Sequence, residues 1–519
     1  MIVLKFGGTS VAYAQNIKLV IEIVAKKAQN DRLAVVVSAF SGVTDLLLKT
    51  SNEAALKNES YLTTLEEIKQ KHFETITNLV AKKNQNDLLV TITNEIKQLK
   101  TLLDGCFLIG ELSPRTSDAI VSFGELLSSQ IIAVALQEKV SDAIFKDSRE
   151  LLKTNLNFGK ATINLKLTNS LISNYFNSFK QSVVLLPGFI ASDEKGNTTT
   201  LGRGGSDFTA AILANGCKAT SLEIWTDVSG MFTANPKLVK QAKPIESISY
   251  HEAMELSHFG AKVLYPPTIQ PVLNASIPIW IKNTFDADAN GTLISNAQES
   301  NGNPVKGISH IEDIALLTLE GSGMIGVAGS SKRLFEVLSK ENINVVFITQ
   351  ASSEHSICIG ILNNDAEKAK NAIDETFELE ITQNKINPCI VEKDLCIVAL
   401  VGENMKNHQG LSGKMFSTLG KNNVNIRAIA QGASERNISV VINKNDVKKA
   451  LNTLHERFFE DNTKQLNLFV MGVGNVGEKF MDQIHQQKKF LKDNLKINVR
   501  VIAISNSRKM HFNEDGITL

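Results

Sequence analysis

Lys5 is followed within five residues by Gly7, Gly8, Thr9 and Ser10, and preceded by the apolar pair Val3-Leu4. Adjacent glycines let backbone N–H groups converge with no Cβ in the way, which suits a phosphate. The lysine adds a point charge and the two hydroxyls add donors. Because the lysine precedes the glycines, this is not the P-loop order. A second set, Gly202-Arg203-Gly204-Gly205-Ser206-Asp207, opens a helical run from Phe208 to Ala214. Three glycines in four positions at a helix start make an anion nest at the positive end of the helix dipole. Arg203 offers a planar fork for a carboxylate or phosphate, and Asp207 falls in the first turn, where caps and dipole partners are common. A third set, Phe123-Gly124-Glu125-Leu126, puts one carboxylate among apolar and small residues. Such a group is either paired or faces a ligand cavity.

The elements that must hold these residues follow from hydrophobic pattern. Val3 to Phe6 reads as a buried strand, Ile17 to Ala28 as an amphipathic helix and Leu33 to Val37 as a second strand. That strand runs into a second small-residue turn, Ser38 to Thr44. Strand, turn, helix, strand, turn is the rhythm of a mostly parallel α/β sheet, whose ligands sit beyond the carboxyl ends of the strands. Further strands are expected at Val183–Leu186, Leu222–Trp225 and Ile279–Lys282, and helices at Ile120–Ala135 and His251–His258. Residues 46–118 are polar with a helical period and read as a helical insertion with a solvated face. Thr226 to Lys237 is rich in Asp, Gly, Asn and Pro, the composition of a loop.

The 519 residues suffice for about three domains. Lys and Arg total 55 against 54 Asp and Glu, so no global field recruits nucleic acid or an acidic membrane. Five cysteines with no CxxC spacing predict neither a disulfide framework nor a zinc site, and point to a reducing cytoplasm. No metal site is expected from any residue cluster. No apolar run approaching a membrane span is expected, and the immediate entry into a strand leaves no room for a signal peptide.

Beyond about residue 310 the pattern repeats. Asn342 to Ile357 recurs 81 residues later as Asn423 to Ile438, and Phe335, Leu338 and Lys340 match Phe416, Leu419 and Lys421. Each copy reads strand–helix–strand–strand–helix, a ferredoxin-like α+β module. Gln350 and Gln431 end the same strand in the two copies. Finally, Leu466 to Met471 leads into Gly472-Val473-Gly474-Asn475-Val476-Gly477 and a helix to about Gln487, the strand–turn–helix context of a dinucleotide site.

The segments Lys5–Val11, Ser38–Thr44, Gly124-Glu125, Gly202–Asp207, Thr226–Pro236 and Phe259–Leu264 resemble, in that order, the motif series of the aspartate kinases. The duplicated modules resemble their ACT regulatory domains, and the segment from Gly472 resembles the opening of a homoserine dehydrogenase. The resemblance implies an amino-acid-kinase-type domain at 1–295, ACT modules at 305–385 and 390–460, and an incomplete NAD(P)-binding Rossmann start at 465–519. It implies phosphorylation of the L-aspartate side chain by ATP, with Mg²⁺ bridging the phosphates, as the first step towards threonine, methionine and lysine. NADP(H) would be bound at Gly472, Gly474, Asn475, Val476 and Gly477 only by a complete dehydrogenase domain. By the same resemblance Lys5 contacts the transferred phosphoryl, Asp207 orients Lys5, Arg203 clamps the aspartate α-carboxylate and Glu125 holds its ammonium. Ser38, Thr44 and Ser206 donate nearby hydrogen bonds. Gly7, Gly8, Thr9, Thr226, Asp227, Phe232, Lys237 and Lys262 line the ATP site, with Phe232 standing for a frequent Tyr and Lys237 for a frequent Arg. Gln350 and Gln431 serve an amino-acid effector, threonine, and ACT modules pair into homo-oligomers. The rival readings are a homoserine dehydrogenase, a non-catalytic amino-acid sensor, and a kinase of the same fold for another substrate; an intact Lys5, Arg203 and Asp207 set argues against the sensor.

Overall fold

Leu33–Val37 is apolar at every position and buried throughout, as befits a strand covered on both faces. The computed structural model describes residues 1–259, 264–296, 303–350, 355–432, 436–460, 464–513 and 516–518. In it this strand lies second from the centre of an eight-stranded sheet, ordered Ile144–Phe145, Val183–Pro187, Leu33–Val37, Ile2–Phe6, Ser221–Thr226, Ile279–Asn283, Thr292–Ser295, Ser247–Ser249. The first six are mutually parallel; Thr292–Ser295 is antiparallel to its neighbour Ile279–Asn283 and parallel to Ser247–Ser249. Side chains alternate between two apolar layers. Val3, Ala34, Val36 and Ile224 enter one, and Leu4, Phe6, Val35 and Val37 enter the other. Lys5, in register with Val36 and Ile224, therefore faces the first layer, where the helix Gly205–Gly216 packs through Ala210 and Ala211.

The helical insertion is less peripheral than its polarity suggests. Val43–Ala55, Ser60–Leu79 and Lys82–Ile109 present Leu47, Ile68, Ile76, Ile92 and Leu99, all fully buried, to the second layer. At about 1.5–3 kcal/mol per buried aliphatic side chain, this face is an integral wall of the sheet's second apolar layer. The expected helix at Ile120–Ala135 is two helices, Pro114–Val121 and Phe123–Gln137, separated at Ser122. Together the two span Pro114–Gln137, long and apolar enough by length and composition alone to cross a bilayer; 83% of the apolar window is buried inside the protein, which accounts for its composition. All five cysteines are free.

The two repeats build one six-stranded antiparallel sheet, ordered Phe347–Gln350, Ser356–Leu362, Gly307–Glu320, Ile390–Val401, Asn437–Asn443, Ile426–Gln431. The helices Ser330–Lys340 and Leu411–Lys421 sit at corresponding positions of the two copies. The simple tandem boundary at 305 does not describe the pairing. Gly307–Ile311 pairs only with Ile397–Val401 of the second module; after a bulge, with Asp313 at φ 59°, Ile314–Glu320 joins Ser356–Leu362 of the first. Val305 and Ile308 accordingly lie in the second module's core.

The C-terminal unit pairs Lys464–Met471 in parallel with Ile497–Ser505 around the helix Asn475–Leu495, longer than expected. Its next strand, Met510–Phe512, is antiparallel. The sequence explains why. Asn506 Oδ1 accepts from the Arg508 and Lys509 amides, closing a tight hairpin, whereas a parallel crossover takes a dozen or more residues.

Candidate active site

Three chain turns converge at the carboxyl edge of the large sheet. They are the turn after Ile2–Phe6, the turn after Leu33–Val37, and the glycine run that opens Gly205–Gly216. Together with the start of Phe123–Gln137 they enclose a cavity of about 510 Å³. Lys5, Gly8, Thr9, Ser38, Thr44, Glu125, Arg203, Ser206 and Asp207 all line it. The turns are tied to one another through the backbone and short side chains. Ser38 N–H donates to Phe6 O at 3.2 Å, Ser128 Oγ to Ser38 O at 2.9 Å, and Ser10 Oγ meets Thr284 Oγ1 at 2.7 Å.

Within the cavity Lys5 Nζ lies 2.5 Å from Asp207 Oδ1, and both side chains are almost buried, at 12% and 13% exposure. The strand's alternation aims Lys5 at the helix that carries Asp207, so the pair follows from register. Arg203 is exposed at the cavity mouth and makes no ion pair among the described residues. Gly204, at φ 70°, caps the helix, and a Cβ there would stand 2.5 Å from the Tyr265 ring, so the turn has no room for another residue. The helices Val43–Ala55 and Gly205–Gly216 both start on the cavity wall, each after a left-handed glycine, and direct their free N–H groups and positive ends inward.

Glu125 is buried, and its Oε2 has no hydrogen-bond partner among the described groups. Burial pushes its carboxyl up to about 8, with the Ala39 backbone N–H pulling the other way. Of the two readings open for this residue, the cavity-facing one is what the structure displays. Two lining residues were not singled out by sequence: Asp45, in the first turn of Val43–Ala55, and Phe189, held at φ 64° after Pro187-Gly188. A glycine-flanked turn ending in Asp and a Pro-Gly pair at a strand end were the available signals.

The remaining expected residues lie elsewhere. Gly7 is next to the cavity, its N–H donating to Trp225 O at 3.3 Å. Thr226 and Asp227 follow the adjacent strand Ser221–Thr226, and Thr226 Oγ1 donates to Asp227 Oδ1 at 3.1 Å. Phe232 bridges Pro244, and Lys237 is exposed beyond it. None of these four lines the cavity. Lys262 lies outside the described residues. Gln431 lines a separate cavity of about 300 Å³ with Lys406, His408 and Ser412, whose Oγ donates to Gln431 Oε1 at 3.1 Å. Gln350 ends its strand exposed. Gly472, at φ 96°, and Gly477 meet in the C-terminal turn, where a Cβ on Gly477 would strike Gly472 O; Gly474 caps the helix that begins Asn475-Val476. No group of three metal-ligating side chains occurs among the described residues.

A parallel sheet with anion nests, a lysine and an arginine on its carboxyl edge defines the class. Residues 1–283 match the model of the amino acid kinase family, and residues 317–377 and 398–458 each match that of the ACT domain. The chain is 36% identical over 523 residues to a chloroplastic bifunctional aspartokinase/homoserine dehydrogenase 1 of Arabidopsis thaliana, covering 99% of this chain and 57% of the relative. It thus spans little more than half the length of that protein. Two solved structures of Escherichia coli aspartokinase III resemble it over 89% of this chain and 100% of theirs, both at 32% identity. One, in complex with aspartate and ADP, has a TM-score of 0.74; the other, in complex with lysine and aspartate, 0.73. Within the amino acid kinase family, the chain belongs to the aspartokinases.

Proposed function

We propose that this chain transfers the γ-phosphoryl group of ATP to the side-chain carboxylate of L-aspartate, giving ADP and 4-phospho-L-aspartate. The observation that carries the reading is one cavity lined by the Lys5–Asp207 pair, Arg203 and a buried Glu125 whose Oε2 has no partner among the described groups. That set suits a zwitterion with an extra acid group. Arg203 takes the α-carboxylate as a fork, and Glu125 takes the ammonium and gives up its proton as it does so. The β-carboxylate, with an ordinary pKa near 3.9, is already ionised at neutral pH and needs no general base. One of its oxygens bonds to the γ-phosphorus while the bond to the ADP oxygen breaks, and the electron pair leaves with ADP. The obstacle is repulsion between two anions, and catalysis rests on position and positive charge. Lys5 supplies that charge, held in line by Asp207, and the inward helix starts add partial charge. Thr226, Asp227, Phe232 and Lys237 line the nucleotide side.

The described residues offer no protein cage for Mg²⁺. The ion fits this site as a companion of the nucleotide phosphates, the common mode for Mg²⁺, and no step here passes through it. A coupled ADP-release assay tests the reaction. Aspartate should support turnover and glutamate should not; turnover with glutamate alone would refute the reading.

Regulation follows the ACT modules. An amino-acid effector, with threonine as the candidate, would bind where Gln431, Ser412 and His408 meet, and at the corresponding strand end of Gln350. The polar cavity beside Gln431 supports this. Isothermal titration should detect threonine binding that Gln431→Ala weakens; no heat with threonine, in a sample that binds aspartate, would exclude it. We propose no dehydrogenase step for residues 464–512, where the one parallel strand pair is followed by a hairpin between Ile497–Ser505 and Met510–Phe512.

A further inference from the structure

His455 stands on the apolar face of the helix Val447–Phe459, between Leu451, Leu454 and Phe458. A lone histidine in such a place is usually a core filler, stacked as this one is on a phenylalanine, Phe459. Its polar edge has a second employment. His455 Nε2 lies 2.9 Å from Thr233 Oγ1, and both residues are buried. Thr233 belongs to the other end of the protein's logic: it directly follows Phe232 and leads into Asn235-Pro236-Lys237.

Every polar atom of Thr233 is engaged. Its N–H donates to Lys243 O at 2.9 Å, and its Oγ1 accepts from Lys243 N–H at 2.9 Å. Its carbonyl accepts from Ile308 N–H at 2.7 Å. With Lys243 on one lone pair, Oγ1 still has its proton and a second lone pair, so it meets His455 Nε2 as donor or as acceptor according to the tautomer. The other ring nitrogen, Nδ1, lies 3.9 Å from Glu460 Oε1. Burial, aided by the Lys243 charge, pushes the imidazole down to about 4, so the ring that makes this hydrogen bond is neutral throughout the neutral range. Two of Thr233's partners, Ile308 and His455, come from the second ACT module.

The surrounding contacts repeat the theme. Ala234 and Val239 are buried in the same apolar cluster as Val305, Leu451, Leu454 and Phe458. Asn452 Nδ2 donates to Leu238 O at 3.0 Å. The segment that carries Phe232 and Lys237 thus has a regulatory helix for its floor.

We infer that His455 is a positioning residue for the kinase reaction: through Thr233 it fixes the nucleotide-side loop, so the second ACT module sets how well ATP is held. The inference rests on the reading of Thr226–Lys237 as the nucleotide loop. It makes the loop a shared element, and any shift of the helix Val447–Phe459 is a shift of the ATP site.

The test is steady-state kinetics on the full chain with both substrates varied. Loss of one buried hydrogen bond should raise KM for ATP by about three- to tenfold in His455→Leu and in Thr233→Val. KM for aspartate and kcat should stay within about twofold, a split that general loosening of the fold would not produce. The double variant should be no worse than Thr233→Val alone, because that change already removes the bond His455→Leu removes, along with the one from Lys243 N–H. His455→Gln, whose amide can either accept from or donate to the same hydroxyl, should recover most of the affinity. Unchanged KM for ATP in both single variants overturns the inference. So does an equal rise in both KM values, which marks a structural role alone. Lys237→Ala separates the two readings. If it raises KM for ATP while His455→Leu does not, only the positioning role falls; if it leaves ATP binding untouched, the nucleotide-loop reading falls and the inference with it.

Discussion

Glu125 gives the sharpest handle on the site. In the free protein its carboxyl titrates near 8, so at pH 7 only about one molecule in eleven carries the anion that the aspartate ammonium needs. Binding must then displace a proton, and the apparent affinity falls with acid. Between pH of about 8.5 and 6.5 this predicts a loss of roughly 25-fold in affinity for aspartate, approaching about tenfold per unit at the acid end. The assay is isothermal titration of aspartate at several pH values, repeated at pH 7 in buffers of different ionisation enthalpy, which should register release of about 0.9 proton per aspartate. Glu125→Gln should flatten the profile and weaken binding at the alkaline end. Stability moves the opposite way. A folded-state pKa raised from 4.5 to about 8 means that the contribution of this group is fully present below 4.5 and is lost as pH rises through 8. In the absence of aspartate, Glu125→Gln should therefore raise stability at pH 8 by about 1–3 kcal/mol, read as a higher denaturation midpoint. A flat aspartate profile in the wild type, with no proton released, would refute the assignment of Glu125 to the ammonium.

Other substitutions test the rest of the cavity. Lys5→Met should lower kcat by about 10²- to 10³-fold with an intact circular-dichroism spectrum, because a positioned positive charge on the transferring group is lost. Arg203→Lys should raise KM for aspartate by about tenfold or more while kcat changes less, since an ammonium cannot replace the bidentate fork. In Gly205→Ala the new Cβ would stand 2.6 Å from Phe189 Cδ2. The helix start must move, with about 1–3 kcal/mol lost in urea titration and activity falling with it.

The sequence displayed what is local. Continuous apolar runs at Leu33–Val37 and Val183–Pro187, and the glycine runs that follow strands, fix both the sheet and the edge where ligands gather. The Lys5–Asp207 pair was legible as two motifs; their contact depended on the alternation of Ile2–Phe6 and on which helix covers that face. Interleaving of Gly307–Ile311 with the second ACT module was not legible, because one apolar run serves two partners on either side of a bulge and nothing in its pattern says which. The buried inner wall of the insertion was hidden by its polar outer face. His455 carried only the pattern of a core residue, and its bond to Thr233 spans 222 positions, a separation that no local pattern encodes.

The central strand has a consequence for biosynthesis. Ile2–Phe6 meets one neighbour at Leu33–Val37, and the other only at Ser221–Thr226. At bacterial or eukaryotic elongation rates of about 5–20 residues per second, the lysine-bearing segment waits on the order of ten to forty seconds with one side unpaired. Until then its apolar edge is open to a wrong partner. The cavity at this edge thus cannot close until Ser221–Thr226 has emerged, and nascent chains halted before residue 221 are the ones a chaperone should hold.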